Sequence, residues 1–177
     1  MAFKGDWMRR IGWITVLALL VATTGARAAA DVSPSYQRHI AALFGKLGCN
    51  GGTCHGAVKG QNGFRLSMFA ADPTGDHARL VREFGARRLN FFAPEASLLL
   101  QKGSGQLPHG GGMRLRVGSP EYVLLRNWIA AGAIADEAAP SRLLQLRVAP
   151  AEQVTQPGAS YRLQVEAAFA DGSTEDV

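Results

Sequence analysis

Cysteine and histidine are scarce in this sequence, and several functional motifs are missing altogether. The 177 residues include two cysteines and four histidines. Both cysteines and one histidine lie together in a single short segment, and no second Cys/His cluster exists that could complete a zinc site of four ligands. The chain also lacks a G-x-G-x-x-G segment and a glycine loop that ends in Lys-Ser/Thr, which argues against phosphate binding. Because no second constellation of nucleophile, base or metal ligands is present, we predict that the chain is not an enzyme.

Long apolar runs are absent as well. The run from Ile11 to Ala22 has twelve residues, fewer than the roughly 20 that a membrane-spanning helix needs. It follows a basic start and precedes small residues of the A-x-A kind near Ala28, which is the three-part layout of a secretory signal. We predict a signal peptide over residues 1–29, cleaved between Ala28 and Asp31, and export to the periplasm or the cell surface. Membrane contact is expected only if this segment stays uncleaved.

The excess of positive charge is small once that segment is removed. Without residues 1–28 the chain has 15 basic and 13 acidic side chains, and its formal charge falls from +5 to +2. No segment carries a run of Lys or Arg. The sequence therefore predicts neither a nucleic-acid partner nor an anionic membrane partner.

Two capped amphipathic helices are predicted in residues 31–137. The first begins at Ser33-Pro34 and ends at Gly48, and the second begins at Ser119-Pro120 and ends at Gly132. In both, apolar residues recur at spacings of three and four, which places them on one face. Shorter helices are expected around residues 76–84 and 94–102.

Residues 138–177 predict a linker followed by strands. The segments Leu143–Pro150 and Ser160–Ala170 alternate polar and apolar side chains, and Asp171-Gly172 is a turn signal. Two or three strands cannot bury a core alone. We therefore expect either a fragment of a longer protein with further domains, which we prefer, or a partner that supplies the missing strands.

Both cysteines and one histidine are grouped in the motif CNGGTCH, which starts at Cys49. Two thiols can add across the two vinyl groups of haem, and a histidine directly after the second thiol can ligate the iron. The motif therefore predicts one covalently bound haem c, held by Cys49, Cys54 and His55. Four residues separate the cysteines instead of the usual two, and Gly51 and Gly52 allow a bulge there because they tolerate positive φ.

A haem-free alternative stays open. In an exported protein, Cys49 and Cys54 could instead close a small disulfide loop. The chain would then be a secreted structural or adhesion module. Covalently retained haem in the purified protein separates the two interpretations.

Three longer segments carry a family resemblance: CNGGTCHGAVKGQNGFRLSMF, PEASLLLQKGSGQLPHGGG and SPEYVLLRNWIAAGA. Together they resemble the planctomycete-type cytochrome c domain over about residues 47–133. The resemblance implies a mainly α, cytochrome c-like haem domain that carries single electrons between redox protein partners. Residues 138–177 resemble the start of a bacterial Ig-like (group 2) domain, a sandwich of about seven strands, so they would form an incomplete Ig-like β segment.

The second axial ligand of the iron has three candidates. In small cytochromes c a loop just before the final helix supplies this ligand, and that position holds both His109 and Met113. The resemblance favours His109, because PHGGG looks like the loop of the family. Met113 and Met68 remain alternatives, as does an open site.

Four side chains have further predicted roles or surroundings. Arg114 could pair with haem propionates through charge-assisted hydrogen bonds. His39 and His77 are expected at the surface. For Met68, packing in the core is the alternative to ligation.

Overall fold

Helices and one small antiparallel sheet make up the part of the chain that the computed structural model describes, Met1 and residues 33–177. Apart from Met1, the predicted signal peptide lies outside the described residues. Helix α1 consists of a π-helical turn, Tyr36–Ile40, and an α-helical part, Ala41–Lys46. The other helices are α2 (Pro73–Arg82), α3 (Leu98–Gly103) and α4 (Pro120–Ala130), and 3-10 turns span Met68–Ala70, Glu83–Ala86 and Pro94–Ala96.

Helix α1 begins later than the sequence pattern predicts. Its N-cap is Ser35, whose Oγ accepts a hydrogen bond from the Arg38 N–H at 3.0 Å. Ser33 and Pro34 precede the helix, because the Ser35 hydroxyl also donates to Asp136 and is held in the capping position. Gly48, at φ +74, follows the helix end as predicted.

The starts of α2 and α4 follow the same capping rule. Helix α4 begins where the sequence predicts, with Ser119 Oγ accepting from the Tyr122 N–H at 3.2 Å. Helix α2 starts three residues before the predicted segment 76–84, because Asp72 caps it and Pro73 occupies its first position.

Trp128 is the centre of the helical core and is fully buried. Its ring lies 5.5 Å from that of Tyr36. His77 is buried as well and donates from Nε2 to the Ala133 carbonyl at 2.7 Å. The prediction of a surface position for His77 is therefore wrong, since the earlier start of α2 turns this residue towards Trp128.

The sheet consists of β1 (Leu143–Ala149), β2 (Gln164–Phe169) and β3 (Thr174–Asp176), antiparallel in the order β1-β2-β3. The first strand agrees with the predicted segment to within one residue. The second begins four residues later than predicted. The predicted turn at Asp171-Gly172 connects β2 to β3, and Gly172 adopts φ +83.

Arg38 of helix α1 connects the helices to this sheet. Its guanidinium forms ion pairs with Asp171 and with Glu175, the latter at 2.9 Å. It also lies 4.0 Å above the ring of Phe169. His39 is half-buried and pairs with Glu175 at 2.7 Å, so its predicted surface position is confirmed only in part, because the sheet covers one side of this turn of α1.

These contacts place residues 33–177 in one compact unit. The domain boundary between residues 137 and 138 stays a prediction. None of the helices in the described ranges has both the length and the apolar character needed to cross a membrane.

Candidate functional site

A cavity of about 550 Å³ lies among the helices, within the usual size range of ligand sites. Helices α1, α3 and α4 supply an apolar floor. Both cysteines of the motif line the cavity, together with His55 and His109. The apolar lining residues are Phe44, Leu47, Phe64, Leu66, Leu98, Leu99, Leu115 and Leu125.

The cysteine loop directly follows α1 and is held by backbone hydrogen bonds. The Cys54 N–H donates to the Gly51 carbonyl at 3.0 Å, and the His55 N–H donates to the Cys49 carbonyl at 3.0 Å. Gly51 and Gly52 do not adopt positive φ. The prediction that these glycines need positive φ is wrong, because ordinary turns already close the loop of four residues between the cysteines. The two cysteines are not joined to each other.

The His55 imidazole has a fixed orientation. Its Nδ1 lies 3.0 Å from the carbonyl oxygen of Phe64, and its ring packs 4.6 Å from the Phe64 ring. A carbonyl only accepts, so Nδ1 carries the proton and Nε2 keeps its lone pair. Burial lowers the pKa of His55, and the nearby His109 and Arg88 add to this effect. His55 is therefore a neutral nitrogen donor near pH 7.

The His109 imidazole is fixed in the same way by its own loop. Its Nδ1 lies 2.9 Å from the Gly112 carbonyl, and the Gly112 N–H donates to the His109 carbonyl at 2.9 Å. A Cβ at Gly111 would lie 3.1 Å from the His109 ring, so the glycine leaves room for the imidazole. Lys102 braces the loop by donating to the Pro108 carbonyl at 2.9 Å.

The two imidazoles form a nearly parallel pair. Their centroids are 6.1 Å apart, and their planes differ by 13°. Two imidazoles on opposite sides of one metal ion have centroids about 6.3 Å apart, given metal–nitrogen bonds of about 2.0 Å and ring bonds of about 1.35 Å. The distance between the two ring centres is therefore close to that of two histidines bound to one metal ion, and the rings are stacked.

The methionine alternatives lie elsewhere. Met113 is 67% exposed and Met68 is 48% exposed, and neither lines the cavity. Core packing of Met68 is therefore wrong, because the short turn that it begins lies at the surface. Among the described residues, no group of three or more His, Cys, Asp or Glu side chains could hold a metal ion.

Four cations line the cavity, and none of its lining residues within the described chain is a carboxylate. Arg114 was a predicted site residue and does reach the cavity, where its Nε donates to the Gly111 carbonyl at 2.8 Å. Arg87, Arg88 and Lys102 are not among the predicted site residues. The adjacent pair Arg87-Arg88 is visible in the sequence as a local positive charge. No periodic pattern, however, indicates that this pair lies beside the cysteine motif.

The Cys49 thiol differs electrostatically from an exposed thiol. Burial raises its pKa to about 11, and the neighbouring Cys54 contributes in the same direction, whereas Arg114 opposes the shift. Cys49 is therefore protonated at neutral pH in the folded chain.

Comparison with known proteins gave no match to a family model, to a curated protein or to a solved structure. The resemblance to the planctomycete-type cytochrome c domain therefore stays a prediction from the quoted segments.

Proposed function

We propose that this chain is an exported c-type cytochrome that binds one haem through Cys49 and Cys54, ligates its iron with His55 and His109, and carries single electrons. The observation that supports it best is the pair of nearly parallel imidazoles, 6.1 Å apart in a cavity that both cysteines line. On this proposal the chain is an electron carrier and not an enzyme.

The residues of the cavity fit haem in polarity and charge. Haem is a largely apolar macrocycle with two anionic propionates, and the cavity combines an apolar floor with four cations and no lining carboxylate among the described residues. When bound, haem supplies an iron that cycles between the ferric and ferrous states, with a potential set by its axial ligands and surroundings.

Backbone carbonyls of the chain fix the tautomer of both histidines, and each Nε2 is the atom that would ligate the iron. Each imidazole donates its Nδ1 proton to a backbone carbonyl, at 3.0 Å for His55 and 2.9 Å for His109. Each Nε2 therefore keeps a lone pair without a change of tautomer. These hydrogen bonds would hold both rings in the same orientation whichever oxidation state a bound haem had.

Location and partners belong to the proposal as well. Export to the periplasm or cell surface would be directed by the signal peptide over residues 1–29, and the partners are redox proteins of unspecified identity. Further domains of a longer chain, joined through the Ig-like segment 138–177, are part of the same proposal.

The first test is covalent attachment. The chain is produced in a host that exports it and attaches haem, then denatured and extracted with acidic solvent. We expect haem to stay with the polypeptide and Cys54→Ser to lose more haem than Cys49→Ser, since Cys54 is directly bonded to the ligand His55. Freely extracted haem, or a colourless wild type, would contradict the proposal and favour the haem-free module.

The second test is the distal ligand. His109→Ala should convert low-spin iron to high-spin iron that binds carbon monoxide, whereas the control Met113→Leu should change neither property. The potential should lie below that of a Met-ligated cytochrome. A sulfur-to-iron charge-transfer band that disappears in Met113→Leu would show that Met113 is the ligand instead.

A further inference from the structure

Arg88 is a buried cation in the cavity wall. The residue is 6% exposed, and its two terminal nitrogens donate to three backbone carbonyls. Nη1 reaches Arg79 at 2.7 Å and Glu83 at 3.4 Å, and Nη2 reaches Gly63 at 3.1 Å. The guanidinium therefore ties the segment that follows the cysteine loop to the end of α2.

The Gly63 carbonyl belongs to the peptide bond that joins Gly63 to Phe64, and Phe64 is the residue that holds His55. The Arg88 guanidinium lies 4.6 Å from the Phe64 ring centre, the Phe64 ring lies 4.6 Å from the His55 ring, and the Phe64 carbonyl accepts the His55 Nδ1 proton. Arg88 thus contacts both the peptide unit and the ring that orient His55.

The charge of Arg88 is incompletely compensated. Its nearest carboxylate oxygen belongs to Glu83, 3.6 Å away on a side chain that is 44% exposed to solvent. A buried charge acts over longer distances than an exposed one, because solvent and salt screen it less. The two steps of 4.6 Å put the guanidinium carbon within about 9.2 Å of the His55 ring centre.

We propose that Arg88 is the positioning residue of His55: it fixes the Gly63–Phe64 peptide and the Phe64 ring against the imidazole, and its buried charge favours the reduced state of the haem. This inference rests on the proposed function. It adds a role for a side chain that neither ligates iron nor belongs to the cysteine motif. A positive charge beside the cavity stabilises an added electron, so its removal lowers the potential.

The test compares three variants of the haem-containing full chain. Arg88→Met removes the donors and the charge, Arg88→Lys keeps the charge without the planar fork, and Arg65→Met removes an exposed arginine next to Phe64 as the matched control. For Arg88→Met we expect the equilibrium constant for reduction to fall about tenfold, which is about 59 mV for a one-electron couple. Arg88→Lys should keep that constant within about threefold, and Arg65→Met should match the wild type.

A spectroscopic measurement separates positioning from charge. The low-spin ferric electron paramagnetic resonance spectrum depends on the angle between the imidazole planes, which is 13° here. Both Arg88 variants should alter this spectrum, and Arg65→Met should not. An Arg88→Met protein with the wild-type spectrum and potential overturns the proposal; if that variant does not fold, an unchanged spectrum in Arg88→Lys overturns it equally.

The haem-free full chain makes the two proposals distinguishable. In that protein the His55 Nδ1 proton should exchange with solvent at least about tenfold faster in Arg88→Lys than in Arg65→Met, because the Phe64 carbonyl is less well fixed. A wild type without covalent haem defeats the proposed function, and this measurement still decides the role of Arg88. Equal exchange rates in the two variants contradict the positioning role.

Discussion

Gly56 gives the sharpest test of the loop that carries the cysteines, because a single methyl group cannot fit there. The residue is buried one position after His55. A Cβ at this position would overlap the Asn50 carbonyl oxygen and lie 2.7 Å from its carbon and 2.9 Å from the Gly51 oxygen. These are backbone atoms, so no rotamer change relieves the overlap and the loop itself must move.

The expected cost of Gly56→Ala follows from those contacts. Overpacking costs about 1–3 kcal/mol, and the fixed backbone puts this site at the upper end of that range. Displacement also strains the hydrogen bonds from Gly56 to Gly51 at 3.1 Å and from His55 to Cys49 at 3.0 Å, each with a net contribution of about 1 kcal/mol. We expect the free energy of unfolding to fall by about 3 kcal/mol or more. We also expect a smaller amount of covalently attached haem.

The matched control is Gly45→Ala, the same chemical change in helix α1. A Cβ at Gly45 meets nothing within 4 Å, and alanine favours the helix over glycine by about 0.5–1 kcal/mol. Gly45→Ala should therefore raise the denaturant midpoint, and Gly56→Ala should lower it. The midpoint is measured by circular dichroism, and the haem content of each variant is measured in parallel. If Gly56→Ala were as stable as the wild type and fully loaded with haem, the described loop packing would be refuted.

Two further predictions concern the core and the sheet contact. Trp128→Ala should lower the free energy of unfolding, measured in urea, by about 3–5 kcal/mol. Val123 is an exposed position on the same helix, and Val123→Ala should change that free energy by less than about 0.5 kcal/mol. Equal effects of the two substitutions would contradict the described core. Hydrogen bonds from Ser173 and from Arg38 hold the pKa of Asp171 at about 2, so this carboxylate stabilises the fold above about pH 4 and loses that effect as the pH falls towards 2. Arg38→Met should weaken this acid dependence in thermal unfolding between pH 5 and 2, and an unchanged pH profile would show that the ion pair does not act in solution.

Local signals in the sequence anticipate much of the fold. Ser119-Pro120 marks the start of α4 correctly, because an N-cap hydroxyl followed by proline specifies a helix start without help from distant residues. Ser33-Pro34 has the same signature, yet the helix starts at Ser35 and Tyr36. There a distant residue, Asp136, fixes the Ser35 hydroxyl, and single-segment patterns carry no information about such contacts.

The candidate site likewise contains residues that could be predicted from the sequence and residues that could not. Cys49, Cys54 and His55 are neighbours in sequence, so their motif could be recognised directly, and the glycine loop drew attention to His109. Arg88 could not be found this way. Its proposed role depends on its contact with Phe64, a contact between residues 24 positions apart that no helix or strand period encodes.

The cations around the cavity also hold the segments that carry the two histidines. Lys102 donates to the Pro108 carbonyl beside His109, while Arg88 donates to the Gly63 carbonyl beside the residue that orients His55. Like charges around a shared cavity repel one another, and an anionic ligand relieves that repulsion while leaving the carbonyl hydrogen bonds in place. On the proposed function, the same side chains would attract the haem propionates and hold the segments that carry both histidines, so haem binding and ordering of the two imidazoles would be coupled.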